Sequence, residues 1–368
     1  MLVRRARLVN VRSRLSLNVE FGTGLTVLVG PNGAGKTTVL EALALVLQGD
    51  LLRAGNVRDL ISREQQYLRI ETDLDECGTK MVATAAYSRD GERRLTADGA
   101  ALDDASRWRD ALPLRTFVPD DLRLIKGSPR RRREYLDTLA TRCEPEYRPA
   151  LGRYDEALAQ RNTLLRLSRM GGHDAQFGPW ETILSQAGLT VTGNRAATLA
   201  SFVGPFQRTY ADLTGDAPDT LHLVYRTNIA GMDEAGYKDR LAEMRDADRQ
   251  RTFTHLGPHR DDLRLMRGGL DMRECASQGE QRAAVLALVL AEWEHACGAS
   301  QINGGQPCSE QKPLLLLDDV MSELDEARRR ALVRIVKQGG QVLVTTTDLR
   351  YFTDEELTDV TVIDLGER

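Results

Sequence analysis

Residues 30–37 read Gly30-Pro31-Asn32-Gly33-Ala34-Gly35-Lys36-Thr37, and they sit between two segments of different character. Before them, Leu25-Thr26-Val27-Leu28-Val29 is a short apolar, β-branched run, the form of a buried strand. After them, residues 38–47 are rich in helix formers, and Gly49 follows as a helix-ending residue. A strand that turns this tightly into a helix N-terminus demands an α/β arrangement. The glycines let backbone N–H groups converge on an anion, Lys36 adds a point charge, and the Thr37 hydroxyl suits Mg²⁺. Every fixed position of G-x-x-x-x-G-K-[ST] is filled. The segment is therefore expected to hold a nucleoside triphosphate through Gly30, Pro31, Asn32, Gly33, Ala34, Gly35, Lys36, Thr37 and Thr38. A chance glycine turn is the plain alternative, and the flanking strand and helix argue against it.

With 368 residues, the chain is long enough for two or three lobes. Its longest clean apolar run, residues 283–291, is far short of the roughly 20 residues that span a bilayer. The first residues, Met1-Leu2-Val3-Arg4-Arg5-Ala6-Arg7, lack the apolar core of a secretion signal. Cys77, Cys143, Cys275, Cys297 and Cys308 show no C-x-x-C spacing, which argues against a zinc site and fits a reducing cytoplasm. The net charge of −4 does not announce a nucleic-acid partner. Arginine, however, outnumbers lysine 44 to 6. A GC-rich coding sequence explains that bias. Whatever its cause, any basic patch here is built of guanidinium groups, suited to bidentate phosphate contacts.

Along the chain, residues 1–29 read as strands, with period-2 alternation over Leu15–Phe21. Further strands are expected at Tyr67–Leu74, Met81–Tyr87 and Leu114–Val118. From Arg130 to about Leu213 the pattern is helical. It includes a helix over Ala150–Met170 with Pro149 at its first position, a loop from Gly171 to Pro179, and a returning helix over Trp180–Leu213. The heptads are too brief for a long coiled coil. Leu221–Arg226 is a strand, and Asp262–Arg273 is a hairpin around Gly268-Gly269. A helix follows Ser277, then a polar loop over Cys297–Lys312, a strand at Pro313–Val320, a helix at Glu326–Lys337 and a strand at Gln341–Thr346.

Leu314-Leu315-Leu316-Leu317-Asp318-Asp319 is an apolar strand ending in two acids. In company with the phosphate loop, Asp318 is expected to reach Mg²⁺ and Asp319 to orient the attacking water. Alone, the run would equally suit a buried strand with a solvated end. Ser277-Gln278-Gly279-Glu280 opens the next helix. Ser277 and Glu280 fit a capping box, and the same helix N-terminus, with a hydroxyl and a glycine backbone, is an anion site.

This constellation resembles the ATP-binding cassette ATPases, specifically SMC-like heads. The resemblance implies that Ser277, Gly279 and Glu280 complete the site of a second protomer, so that two heads sandwich two ATP molecules. Ser322-Glu323-Leu324-Asp325 resembles the D-loop at that interface. Asn10-Val11-Arg12-Ser13 resembles the segment whose arginine, here Arg12, approaches the nucleotide; a plain surface arginine is the alternative. Residues 119–137, a Pro-acidic segment followed by Gly127-Ser128-Pro129-Arg130-Arg131-Arg132-Arg133-Glu134-Tyr135-Leu136-Asp137, are similar to the RecF family, as is Gly257-Pro258-His259-Arg260-Asp261-Asp262. The fold implied is an ABC-type P-loop ATPase head, a mixed sheet around the phosphate loop, with an inserted helical arm lobe. The boundaries that go with it are 1–125 for the first part of lobe I, 126–215 for the arm, 216–300 for the strands of lobe II with the signature helix, and 301–368 for the rest of lobe I.

The resemblance implies DNA repair and replication in the cytoplasm, at the nucleoid, with no membrane partner. ATP and Mg²⁺ would close a homodimer on double-stranded DNA near gaps or single-strand/double-strand junctions. Slow hydrolysis would open it, with Asp319, Lys36 and Ser277 carrying the chemistry. RecR, with RecO, is the partner implied. Arg130, Arg131, Arg132 and Arg133 are candidate phosphate contacts, against the plain reading of a solvated helix face. The family pattern is not uniform. Asp319 stands where many cassette ATPases have Glu, Val344-Thr345-Thr346-Thr347-Asp348 offers only hydroxyls where many have a switch His, and no Gln loop is assigned. His259 with Asp261-Asp262 lacks ligand spacing and is read as structural. Other functional classes are the nucleotide-binding subunit of a transporter and an ATP-gated DNA tether that does not hydrolyse. Membrane association would favour the first, and hydrolysis measured with and without DNA would separate the second.

Overall fold

Strands β1 (Leu2–Val11) and β2 (Arg14–Glu20) form an antiparallel hairpin, and β3 (Leu25–Val29) then leaves it to start a second sheet. β4 (Tyr67–Glu76), β5 (Thr79–Ser88), β6 (Arg93–Ala97) and β7 (Ala100–Ala101) extend the first sheet in the order β2-β1-β4-β5-β6-β7. β8 (Leu114–Phe117) belongs to the same second sheet as β3, at its edge. A separate three-stranded sheet has β9 (Leu221–Arg226), β10 (Asp262–Arg267) and β11 (Leu270–Asp271) in the order β11-β10-β9. β12 (Leu314–Leu317), β13 (Val342–Thr346) and β14 (Thr361–Asp364) complete the second sheet as β14-β3-β13-β12-β8, parallel at every pairing. The structure is a computed structural model that describes residues 2–49, 51–52, 55–76, 78–101, 114–168, 174–295 and 312–366.

The burial of each strand follows from its neighbours. β3, β12 and β13 are buried at every residue, as strands covered on both faces must be, and their sequences hold only aliphatic residues and threonine. β5 alternates instead, with one face packed. The helix Lys36–Gln48 lies between the two large sheets. Val39, Leu40, Leu43 and Leu47 share one core with Ala6, Leu8 and Ile70 of the antiparallel sheet and with Leu28 and Leu343 of the parallel one. A helix apolar on all sides is the sequence signature of such a position. Gln341 ties the layers at one end. Its side chain accepts from the Val3 N–H at 2.8 Å and donates to the carbonyls of Val3 and Gly22 at 2.7 Å.

The chain divides into two units. The first comprises Met1–Leu122, Thr209–Asp216 and Ser277–Arg368, and the second Arg123–Arg208 and Ala217–Ala276. This corrects the expected grouping of the signature helix with residues 216–276. The helix Gln278–Glu294 belongs with the phosphate-loop unit. Glu292 pairs with Arg115, Trp293 donates to the Pro313 carbonyl, and Arg282 pairs with Glu323.

The second unit holds helices Pro129–Cys143, Tyr147–Leu167, Glu234–Glu243 and Arg245–Arg251, most of the helix Asp174–Thr214, and β9–β11. Tyr147, Tyr154, Ala157, Leu184, Val191 and Tyr237 form its core. Two expectations are corrected here. The helix begins at Tyr147, with Pro149 inside the first turn, where its missing N–H costs nothing. The return helix runs from Asp174 straight through Gly178-Pro179. Phe177 explains this: it is fully buried against Leu164 and Leu165, with the guanidinium groups of Arg161, Arg245 and Arg249 at 5.3–5.9 Å from its ring. That packing outweighs the local preference for a break. The expected loop over residues 297–311 lies outside the described residues. Among the described residues, no helix is long and apolar enough to cross a membrane.

Candidate active site

The loop after β3 needs its glycines. Gly33 and Gly35 have φ of +84° and +92°, in the left-handed region that favours glycine, and a Cβ on Gly35 would meet Arg14 Nε at 3.0 Å. Gly35 is the N-cap of the following helix and no side chain caps it, so the first-turn amides are left for an anion. A cavity of about 320 Å³ opens there, lined by Asn32, Gly33, Lys36, Thr37, Asp318, Asp319 and Thr345, with Arg12 and Pro119 also among its lining residues.

β12 and β13 bring the acidic pair to this loop. Thr37 Oγ1 donates to Asp318 Oδ1 at 2.9 Å, joining residues 281 positions apart. Thr345, near the end of β13, donates to the same oxygen at 2.9 Å. Lys36 Nζ folds back on its own loop, donating to the carbonyls of Gly30 at 2.6 Å and Pro31 at 3.0 Å. Burial lowers the Lys36 ammonium below its ordinary pKa, against the pull of Asp319 and Asp318. Asp319 has a left-handed backbone, φ +50°, and its Oδ1 is buried without a hydrogen-bond partner. Burial raises the Asp319 carboxyl above the usual carboxylate range, and the charges of Asp318 and Glu323 add to this, while Ser322 and Lys36 oppose it. Hydroxyl and carboxylate oxygens, with room for waters and phosphate oxygens, form a donor set that fits Mg²⁺.

Arg12 reaches the cavity from the β1–β2 turn with φ +51°, and its guanidinium pairs with the buried Glu41 at 2.6 Å. Arg14, which sequence reasoning missed, donates to the Ala34 carbonyl and, at 2.9 Å, to the Leu365 carbonyl. It thus clamps the loop to the strand that follows β3 in space. Glu41 was missed as well, since nothing in the local sequence separates it from an ordinary helix residue, and Thr345 stood out only as one of the hydroxyls where many cassette ATPases have a switch His.

Ser277 is exposed and forms both bonds of a capping box. Its N–H donates to Glu280 Oε2 at 2.7 Å, and its Oγ accepts from the Glu280 N–H at 3.3 Å. The cap uses a lone pair, so the hydroxyl proton remains able to donate. Ser277, Gly279 and Glu280 are not among the residues lining the phosphate-loop cavity.

The arginine run is not the uniform basic face expected. Arg132 is only 5% exposed and makes a bidentate pair with Asp262 at 2.6 and 3.1 Å, besides donating to the Gly127 carbonyl at 2.9 Å. Arg133 donates to the Asp261 carbonyl at 2.9 Å. Arg132 is therefore corrected from a phosphate contact to an internal tie. The reason is distance in sequence: its partner lies 130 residues away. Arg130 is exposed and pairs with Glu134 one turn on, and Arg131 is half-buried. His259 has both ring nitrogens engaged, Nδ1 with the Tyr154 hydroxyl at 2.6 Å and Nε2 with the Thr254 carbonyl at 2.8 Å.

A phosphate loop on a parallel sheet, an acidic pair at the end of a neighbouring strand and a serine-capped signature helix define an ABC-type ATPase head. The family model described as RecF/RecN/SMC N terminal domain matches residues 2–364. DNA replication and repair protein RecF of Heliobacterium modesticaldum is 34% identical, covering 97% of this chain and 95% of the relative. The RecF of Herpetosiphon aurantiacus is also 34% identical, covering 98% and 97%. A solved structure of the recombination mediator protein RecF-ATPrS in the RecFOR pathway superposes with a TM-score of 0.79 at 25% identity, covering 96% of this chain and 94% of that one. An Smc head bound to the C-winged helix domain of ScpA superposes at 0.58 with 17% identity over 100% of this chain and 94% of that one, a likeness of fold. The chain belongs to the RecF family of DNA replication and repair proteins.

Proposed function

We propose that this chain is an ATP-driven DNA clamp of recombinational repair and replication-fork maintenance. The carrying observation is the Thr37–Asp318 hydrogen bond, which joins the two halves of a nucleotide site, beside an unpaired carboxylate oxygen of Asp319. The loop glycines and Lys36 hold the phosphates of ATP. Thr37 and Asp318 would hold Mg²⁺, which would supply charge neutralisation at the phosphates. Asp319 orients the attacking water and accepts its proton. Arg12 closes the mouth of the site. Ser277, exposed and outside its own chain's cavity, completes the γ-phosphate shell of a second protomer, so two shared sites close an isologous dimer.

The closed dimer grips double-stranded DNA through phosphate contacts, near gaps or junctions, and slow hydrolysis releases it. The solved RecF structures carry ATP or ATPrS and are placed in the RecFOR pathway. By that likeness this chain works with RecR and RecO, in the cytoplasm at the nucleoid. Sedimentation of wild type and Lys36→Met, with and without Mg-ATP and a short duplex, tests the reading. Wild type should dimerise and hold DNA only with ATP, and the variant should do neither. A wild type that stays monomeric with ATP and DNA would refute the shared site.

A further inference from the structure

Thr345 is fully buried in the parallel sheet, where a hydroxyl must find partners. It finds two, both in the acidic pair. It donates to Asp318 Oδ1 at 2.9 Å and accepts from the Asp319 backbone N–H at 2.8 Å. Its neighbour Thr346 turns the other way and serves its own loop, donating to the Asp348 carbonyl at 3.1 Å. Strand alternation therefore selects Thr345.

The bond to the Asp319 N–H falls at a strained point. Asp319 has φ +50°, a conformation that is unfavourable for a non-glycine residue and persists only where surrounding bonds enforce it. Two bonds enforce it here, the one to Thr345 and one from Ser322 Oγ to the Asp319 carbonyl at 3.0 Å. With the backbone so held, Asp319 keeps its place among the residues that line the cavity with Lys36 and Thr37, its Oδ1 buried and without a hydrogen-bond partner.

We infer that Thr345 is the positioning residue of the hydrolytic step, its hydroxyl holding Asp319 in the left-handed conformation that presents its carboxylate oxygen to the attacking water. This rests on the reading of Asp319 as the residue that orients that water. Because Thr37 also donates to Asp318, loss of the Thr345 hydroxyl leaves nucleotide binding largely in place.

The experiment measures equilibrium ATP binding and single-turnover hydrolysis, with Mg²⁺ and duplex DNA, for wild type, Thr345→Val, Thr345→Ser, Asp319→Asn and Thr345→Val/Asp319→Asn. Val, nearly isosteric, should keep the ATP Kd within about threefold and slow hydrolysis about ten- to a hundredfold, the range for leaving one buried donor unpaired. Ser should recover most of that loss. The double variant should be no slower than Asp319→Asn alone, because Thr345 acts through Asp319. Thr345→Ala carries the same expectation should Val not yield folded protein. A Val variant that hydrolyses at the wild-type rate while Asp319→Asn is inactive overturns the inference and spares the reading beneath it. So do a Ser variant as slow as Val and a double variant slower than Asp319→Asn. Wild-type hydrolysis by Asp319→Asn overturns both.

Discussion

Acid should loosen the second unit through His259. Burial pushes this imidazole down to about 4 from its ordinary 6.5, and the nearby guanidinium groups of Arg260 and Arg133 add to the effect. The bonding agrees. Nε2 donates to the Thr254 carbonyl, and Nδ1 accepts from the Tyr154 hydroxyl, so a second ring proton would confront a donor. In the unfolded chain His259 protonates as pH falls through 6.5, and in the folded chain it does not until about 4. Between those values the unfolded state holds more protons, so stability is full above 6.5 and declines as pH falls. From pH 6.5 to 5 the loss is about 2 kcal/mol, at roughly 1.4 kcal/mol per pH unit. Urea unfolding of wild type and His259→Gln at pH 7 and 5 reads this out. Gln keeps a donor and an acceptor but does not titrate. Wild type should lose about 2 kcal/mol more than the variant over that interval. Equal losses, or an imidazole resonance that titrates near 6.5 in the folded protein, would refute the argument.

Other outcomes follow from the same geometry. Arg132→Ala removes the bidentate partner of Asp262, leaving it Arg264 at 3.5 Å, and should cost about 2 kcal/mol or more, whereas Arg130→Ala, exposed and paired one turn along its helix, should cost less than about 0.5 kcal/mol in the same denaturation assay; equal costs would contradict the burial of Arg132. Arg14→Ala releases the loop carbonyl of Ala34 and should weaken ATP binding about tenfold, about the value of one hydrogen bond to a charged group, by nucleotide titration; unchanged affinity would remove the clamp. The raised Asp319 carboxyl must be ionised to take a proton from water. The hydrolysis rate should therefore fall on acidification above the usual carboxylate range, in a limb absent from ATP binding, and a rate flat down to pH 4 would contradict it. Steady-state kcat should lie well below the typical enzyme value of about 10 s⁻¹.

Much of the nucleotide site was legible because its chemistry depends on local pattern. The apolar runs at Leu25–Val29 and Leu314–Leu317 are strands covered on both faces, and each ends where the phosphate loop or the acidic pair begins. The spacing of Ser277 and Glu280 reads as a capping box and forms one. What escaped depends on partners remote in sequence. Four consecutive arginines do not reveal that the third faces Asp262 across 130 residues. Gly178-Pro179 does not reveal that Phe177 is buried beneath three guanidinium groups, which keeps the helix going. Thr345 looks like any β-branched strand residue until the parallel pairing of β12 with β13 sets it beside Asp318 and Asp319. The signature helix joins the phosphate-loop unit through Arg115, Pro313 and Glu323, contacts that no periodicity announces.

The central claim is that each nucleotide site is shared between two chains. The most direct measurement is DNA-stimulated ATP hydrolysis by an equimolar mixture of Lys36→Met and Ser277→Arg. Each variant alone should be inactive. In a mixed dimer, one site combines both defects, and the other has an intact Lys36 from one chain and an intact Ser277 from the other. Lys36→Met does not dimerise by itself, so activity comes from mixed dimers with one intact site of two, and the mixture should regain up to about half of the wild-type rate. A mixture as inactive as its components would contradict the shared site.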